Sequence, residues 1–106
     1  TRRAFSGTTS STTPTAVLSI PTATYRSAKV LLQIVNNTAY RIAEFFVVHD
    51  GTTAYISENY TRDADVQSGS TNTSITADVS GGNLRILATA SSGTSTVKGE
   101  ATLIKV

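Results

Sequence analysis

Apolar and polar residues alternate with a period of two along most of this chain, which predicts β-strands and leaves no segment with helical periodicity. The clearest stretch is residues 25–51, YRSAKVLLQIVNNTAYRIAEFFVVHDG, where polar residues at 36–38 separate two apolar strands. In the first of them, residues 27–35, alternate positions place Val30, Leu32 and Ile34 on one face. We predict that this face lies in the core.

The second strand, residues 40–49, is apolar on both sides near its end. Its alternate positions are Tyr40, Ile42, Glu44, Phe46 and Val48 on one side, and Arg41, Ala43, Phe45, Val47 and His49 on the other. A strand that is apolar on both sides is typical of a central strand buried on two faces. We predict that the Phe46 side points into the core, which leaves Phe45 and Val47 on the outer side of the sheet, beside Leu31.

The dipeptide Asp50-Gly51 is the strongest turn signal in the chain, because Asp-Gly supports the positive φ angles of a two-residue hairpin loop. It predicts a partner strand at residues 53–58 that returns antiparallel to the strand before it. Further strands are predicted at residues 16–20, 72–79, 84–90 and 95–106, the last of them continuous or broken by a bulge near Gly99. Residues 59–71 are predicted as a long polar loop with one short strand.

About seven or eight short strands at this spacing predict an all-β fold, an antiparallel β-sandwich of the jelly-roll or immunoglobulin-like kind. We assign residues 16–106 to this β-sandwich domain. The predicted core is Val17, Leu18, Ile20, Val30, Leu32, Ile34, Ile42, Phe46, Val48, Ile56, Ile75, Val79, Leu84, Ile86, Leu103 and Ile104.

Residues 1–15, TRRAFSGTTSSTTPT, have no apolar period and are predicted to form an extended N-terminal arm outside the sandwich. Two interpretations stay open. The arm is a disordered terminus, or Arg2, Arg3 and Phe5 anchor it on a neighbouring subunit.

The composition is rich in hydroxyl groups, with 19 Thr and 13 Ser among 106 residues, and contains no Cys. The lack of Cys excludes disulfides and thiolate chemistry, and it favours a homo-oligomer, because a small domain without disulfides gains stability from a partner. The net charge of +2 comes from scattered Lys and Arg, so no nucleic-acid partner is expected. No apolar run approaches the roughly 20 residues of a membrane span, so no membrane contact is expected.

No constellation of residues predicts catalysis, a cofactor or a metal site, and we expect a protein that is not an enzyme. His49 is the single His and lies at a strand end beside Asp50, so we assign it a structural role. Glu58, Asp63 and Asp65 lack the glycine and the bidentate Glu of a recognised calcium loop, and we interpret them as part of a solvated loop.

Three segments carry a family resemblance. They are YRSAKVLLQI from Tyr25, the pattern A-E-x-x-V-x-H-D-G-T at residues 43–52, and DADVQSGSTNTSITADVSGGNLRILATAS at residues 63–91. Together they resemble a domain that recurs in virion structural proteins of tailed phages of marine bacteria, especially cyanophages. The resemblance extends from residue 25 to the C-terminus, about three quarters of the chain. It implies a component of the virion and supplies no active site.

The function implied by this resemblance is that of a capsid decoration or cement protein bound outside the head, with other virion proteins, the major capsid protein or fibre and neck proteins, as partners. A tail or head fibre module is the alternative within the particle. A module that binds host-surface glycans through Tyr55 and Tyr60 is the alternative from another class. The predicted interface consists of Arg2, Arg3, Phe5, Leu31, Phe45 and Val47.

Overall fold

The computed structural model describes residues 1–64 and 71–106, and this part of the chain consists of β-strands joined by turns and short loops. Its eight strands are β1 Arg2–Thr9, β2 Thr15–Pro21, β3 Tyr25–Asn36, β4 Ala39–His49, β5 Ala54–Asp63, β6 Thr73–Ser80, β7 Asn83–Ala90 and β8 Ser95–Lys105. The strands predicted from residue 16 onward are confirmed with small shifts of their ends. The exception is β5, which continues to Asp63 through part of the segment predicted as a loop.

The prediction of an antiparallel β-sandwich is confirmed. The larger sheet has five strands in the order β1-β8-β3-β4-β5, and the smaller sheet has three in the order β2-β7-β6. Each pair of neighbouring strands is antiparallel. In the described residues, no helix has the length and apolar character needed to cross a membrane.

The hydrophobic core lies between the two sheets. From the larger sheet, the alternate residues Val30, Leu32 and Ile34 of β3 are no more than 1% exposed, as their predicted face requires. Leu84 and Ile86 of β7 meet them from the smaller sheet. Burial of an aliphatic side chain of this size contributes about 1.5–3 kcal/mol, so the core depends on this contact between β3 and β7.

Strand β4 faces the opposite way from the prediction. Phe45 and Val47 are 5% and 3% exposed and belong to the core, whereas Phe46 and Val48 are 55% and 42% exposed on the outer side. The strand register explains this orientation, because Phe45 pairs with Val30, whose side chain points inward. Directly paired residues of neighbouring strands share a face of the sheet. The prediction that Phe46 and Val48 lie in the core is therefore wrong.

The reversal of β4 also removes Ile42 from the predicted core, since Ile42 lies on the Phe46 side and is exposed. Ile104 is exposed as well, because β8 pairs it with Ser27 on the outer face of β3. The other predicted core residues are buried or pack against the buried cluster: Val17, Leu18, Ile20, Val30, Leu32, Ile34, Leu84, Ile86 and Leu103 are buried, and Ile56, Ile75 and Val79 are partly buried.

Residues 2–9 form the edge strand β1 rather than an arm outside the sandwich. Strand β1 pairs with β8 along its whole length, from Arg2 opposite Thr102 to Thr9 opposite Ser95. The side chain of Phe5 is partly buried and packs against the core. The boundary predicted after residue 15 therefore does not separate an arm from the domain.

Gly99 lies at a close approach of β8 to β3. It pairs with Leu32 of β3 and Phe5 of β1 without a register shift, so of the two predicted alternatives β8 is the continuous strand, with no bulge near Gly99. A Cβ atom at this position would overlap the carbonyl oxygen of Leu31 and lie 2.8 Å from the Cα atom of Leu32. The absence of a side chain at Gly99 thus permits the close approach of the two strands.

The hairpin between β4 and β5 is confirmed, but its loop has four residues, 50–53, instead of two. Of the two turn residues, Gly51 alone has a positive φ angle, 102°. The carboxylate of Asp50 accepts hydrogen bonds from the backbone N–H groups of Thr52 and Thr53 at 3.0 and 2.8 Å. These bonds lower the pKa of Asp50 to about 2. The ionised carboxylate holds the longer loop closed.

Candidate functional site

Large apolar side chains are exposed together on the outer face of the larger sheet. Six of them, between 41% and 58% exposed, form what we call the outer apolar face: Leu31, Ile42, Phe46, Val48, Tyr55 and Ile104. Single exposed apolar residues are ordinary on protein surfaces. A contiguous group on neighbouring strands is typical of a contact site.

The strand register arranges this face in rows across β8, β3, β4 and β5. One row consists of Ile104, Ser27, Val48 and Tyr55, and the next consists of Thr102, Lys29, Phe46 and Ser57. A groove of about 480 Å³ runs along the two rows. Since Ser27 has a small side chain between the larger Ile104 and Val48, the outer apolar face contains a hollow beside the projecting ring of Phe46.

Charged residues of both signs lie on the same face. The Nζ atom of Lys29 is 3.5 Å from Glu44 Oε2, and Nη1 of Arg2 is 3.5 Å from Glu100 Oε1. Ion pairs this exposed contribute little to the free energy of unfolding. Lys98 and Arg62 lie on the same face, opposite Gln33 and Ile42 in the strand register, so positive side chains outnumber negative ones there in the described residues.

Tyr60, which is 76% exposed, lies on this face because of a bulge in β5. The register between β4 and β5 shifts after Glu44, which leaves Asn59 as an extra residue in β5. Without the bulge, Tyr55 and Tyr60 would point to opposite sides, since they are an odd number of positions apart. The bulge therefore brings both tyrosines to the outer face of the sheet.

The outer face of the smaller sheet is polar by comparison. Its exposed and half-exposed residues include Ser19, Ser74, Thr76, Asp78, Arg85 and Thr89. The guanidinium group of Arg85 donates two hydrogen bonds to Asp78, of 2.8 and 2.6 Å, and this contact lowers the pKa of the Asp78 carboxyl. Water solvates such a surface well. The polar face therefore favours contact with solvent, whereas the outer apolar face favours contact with a protein.

His49 is buried, and both of its ring nitrogens bond to the backbone. The N–H of Gly51 donates to Nδ1 at 3.0 Å, so Nδ1 carries no proton and Nε2–H donates to the carbonyl oxygen of Tyr25 at 2.7 Å. His49 thus joins the β4–β5 loop to the start of β3, which agrees with the structural role assigned to it.

Of the three acidic residues considered for calcium, one is engaged by an arginine and another lies outside the described residues. Asp63 accepts a hydrogen bond of 2.7 Å from Nε of Arg41, which lowers the pKa of Asp63. Asp65 lies outside the described residues. In residues 1–64 and 71–106, no three His, Cys, Asp or Glu side chains come close enough together to hold a metal ion.

No protein-family model and no curated protein sequence matches the chain. The fold is shared with part of a solved structure. The chain is similar to part of the tailspike protein of Acinetobacter phage vB_ApiP_P1, with a TM-score of 0.53 and 15% sequence identity. The similarity covers 100% of this chain and 22% of the tailspike chain. This chain therefore spans about a fifth of the length of the tailspike, and the likeness is one of fold.

The predicted interface residues of β3 and β4 lie on opposite faces of the larger sheet. Leu31 lies on the outer face of the larger sheet, as predicted. Phe45 and Val47 lie in the core, because the register of β4 against β3 turns them inward. The prediction that they form a docking surface with Leu31 is wrong, and the side chains that lie there are those of Phe46 and Val48.

The three predicted interface residues of β1 contact their own chain. Arg2 pairs with Glu100, and Nη1 of Arg3 donates to the carbonyl oxygen of Ser19 at 3.3 Å. Phe5 packs against the core. Contact of these residues with a neighbouring subunit stays a prediction.

Proposed function

We propose that this chain is a structural, non-enzymatic module of a bacteriophage particle. The observation that carries the proposal is the outer apolar face, on a sandwich that shares its fold with part of a phage tailspike. Large apolar side chains exposed together in this way favour coverage by a protein partner. The sequence resemblance to virion structural proteins supports the same setting.

A docking role is further supported by the titratable side chains, because they form hydrogen bonds within the domain. The imidazole of His49 connects backbone segments, and the carboxylate of Asp50 closes a hairpin loop. Asp63 and Asp78 bind arginines of neighbouring strands. These groups stabilise the domain, and the exposed surface that remains is suited to association.

Within the particle, we assign the module to a tail or head fibre or spike, with other fibre or neck proteins as its partners. The fold likeness covers the whole of this chain and only a small part of a longer tailspike. This difference favours a module of a larger appendage. A decoration or cement protein on the outside of the head, bound to the major capsid protein, is the second candidate and is favoured by the sequence resemblance.

Glycan binding at the host surface is a candidate function of a different class. It is favoured by the exposure of Tyr55 and Tyr60 on one face, since aromatic side chains offer an apolar body with a polar tip. Specific signals on a glycan array that the Tyr60→Ala substitution abolishes would support this function over the structural one.

Quantitative mass spectrometry of purified phage particles that encode this chain tests the proposed function. We expect peptides of the chain to co-purify with intact particles through a density gradient, in the small copy number typical of an appendage. A copy number in the hundreds per particle would favour the capsid surface instead. Absence of the chain from the purified particles would contradict the proposal.

A further inference from the structure

We propose that Asp50-Gly51 is a site of spontaneous covalent modification, at which Asp50 isomerises to isoaspartate, and that the closed β4–β5 loop restrains this reaction. The inference is independent of the proposed function. Of the four Asp and five Asn residues of the chain, Asp50 alone precedes a glycine. Both residues of the dipeptide are exposed, so water reaches them.

The reaction needs only these two residues and water. The backbone nitrogen of Gly51 attacks Cγ of Asp50, the N–Cγ bond forms, and the Cγ–OH bond of the protonated carboxyl group breaks. The hydroxyl group leaves with the proton of the nitrogen as water, and a cyclic imide results. When water then adds at the main-chain carbonyl carbon of Asp50, the C–N bond at that carbon breaks and the backbone continues through Cγ. Glycine favours the attack because it has no side chain to obstruct it.

The closed loop keeps the carboxylate of Asp50 from this reaction. Its Oδ1 atom accepts hydrogen bonds from the N–H groups of Thr52 and Thr53 at 3.0 and 2.8 Å. The hydroxyl groups of Thr52 and Tyr55 donate to Oδ1 and Oδ2 at 3.1 and 3.2 Å. These bonds lower the pKa of Asp50 from 3.8 to about 2. At neutral pH, the reactive protonated form is therefore about 60-fold rarer than in an unfolded chain. Below about pH 2 the carboxyl group is protonated in both, and this part of the restraint is lost.

The attacking nitrogen is held as well. The N–H of Gly51 donates to Nδ1 of the buried His49 at 3.0 Å, and the bond from Nε2 to the carbonyl oxygen of Tyr25 fixes the ring. The N–H of Asp50 donates to the carbonyl oxygen of Thr53 at 3.1 Å. Because the carboxylate and the nitrogen are both engaged, the two atoms that react come together when the loop opens. The rate in the folded chain therefore reports the fraction of molecules with an open loop.

Isoaspartate formation at residue 50 is measured by proteolytic digestion followed by chromatography and mass spectrometry, since the isomer has the same mass but a different retention. Wild type is incubated at neutral pH, folded and in guanidinium chloride. We expect the unfolded chain to react about 60-fold faster or more. His49→Phe keeps a ring and loses both nitrogens, and we expect the folded variant to react about tenfold faster than folded wild type.

Tyr55→Phe and Tyr60→Phe form a matched pair that does not depend on the folding of a variant at a buried position. Each removes the hydroxyl group of an exposed tyrosine of β5, and only that of Tyr55 bonds to Asp50. We expect Tyr55→Phe to raise the rate about threefold and Tyr60→Phe to leave it unchanged. In guanidinium chloride, all the chains are expected to react at one rate, because the variants act through the loop.

Four results would overturn the inference. They are an unfolded chain without isoaspartate at residue 50, equal rates in the folded and unfolded chain, equal rates in the two tyrosine variants, and a slower reaction in folded His49→Phe. The last would make the imidazole a base for the reaction instead of a restraint. None of them touches the proposed function, since mass spectrometry of particles tests the presence of the chain and not the chemistry of its loop.

Discussion

Replacement of Phe45 by Ala is expected to lower the free energy of unfolding by about 3–5 kcal/mol, and the same change at Phe46 by about 1 kcal/mol or less. The reason is that Phe45 fills the core beside Val30, while Phe46, one position away, is half exposed. Because domains are stable by only about 5–15 kcal/mol, Phe45→Ala removes a large part of the total.

Urea unfolding followed by far-ultraviolet circular dichroism compares the two variants with wild type. Each chain is measured at a concentration at which it is monomeric, since self-association would add to the apparent stability. Phe46→Ala is the matched control for Phe45→Ala, with the same atoms removed from the opposite face of one strand. A larger loss for Phe46→Ala would mean that Phe46 rather than Phe45 points into the core, and it would contradict the orientation of β4 described above.

Replacement of Gly99 by Ala is expected to cost roughly 3 kcal/mol or more, or to prevent folding. The new methyl group would overlap the carbonyl oxygen of Leu31 and lie too near the Cα atom of Leu32. Both are backbone atoms of β3, so relief requires the β3–β8 ladder to open rather than one side chain to rotate. This ladder lies in the middle of the larger sheet.

Gly82→Ala is the control for this prediction. Gly82 has a φ of +78° and no atom within 4 Å of an added Cβ, so its substitution introduces backbone strain of about 1–2 kcal/mol without an overlap. Thermal unfolding of both variants, with wild type alongside, separates the two effects. If Gly99→Ala melts no lower than Gly82→Ala, the close approach of β3 and β8 does not limit stability.

The strands of this fold are largely predictable because most of them alternate clearly between apolar and polar residues. In β3, the opposite face carries Lys29 and Gln33, so the inward side is identifiable from the sequence, and Val30 and Leu32 are buried as predicted. The Asp50-Gly51 signal likewise locates the hairpin, although the loop between the two strands covers residues 50–53 and not the dipeptide alone.

The orientation of β4 was not predictable from alternation, because both of its faces are apolar. Phe46 and Val48 are exposed on one face, and Phe45 and Val47 are buried on the other. A shift of one residue exchanges the two sets, and the pairing that decides between them lies in β3. Alternation alone therefore does not show that Phe46 and Val48, rather than Phe45 and Val47, lie on the outer side of β4.

Two further features of the fold, strand β1 and the bulge in β5, leave no periodic pattern of apolar residues in the sequence. Strand β1 has a mixed sequence, RRAFSGTT, and is held at the sheet edge by backbone pairing with β8. The bulge at Asn59 changes the face of every residue after it in β5, including Tyr60. Both features depend on contacts with a neighbouring strand, which the local sequence does not encode.

Thiol protection most directly tests the central claim, that the outer apolar face is the surface by which this chain docks in the particle. The chain has no Cys, so Ser57→Cys and Ser74→Cys each introduce a single thiol. Ser57 lies beside Phe46 on the larger sheet, and Ser74 lies exposed on the outer face of the smaller one. In intact particles, we predict that maleimide modifies the thiol at position 57 many-fold more slowly than the one at position 74, and that the two rates are equal in the isolated chain. Equal rates in the particles would contradict the account.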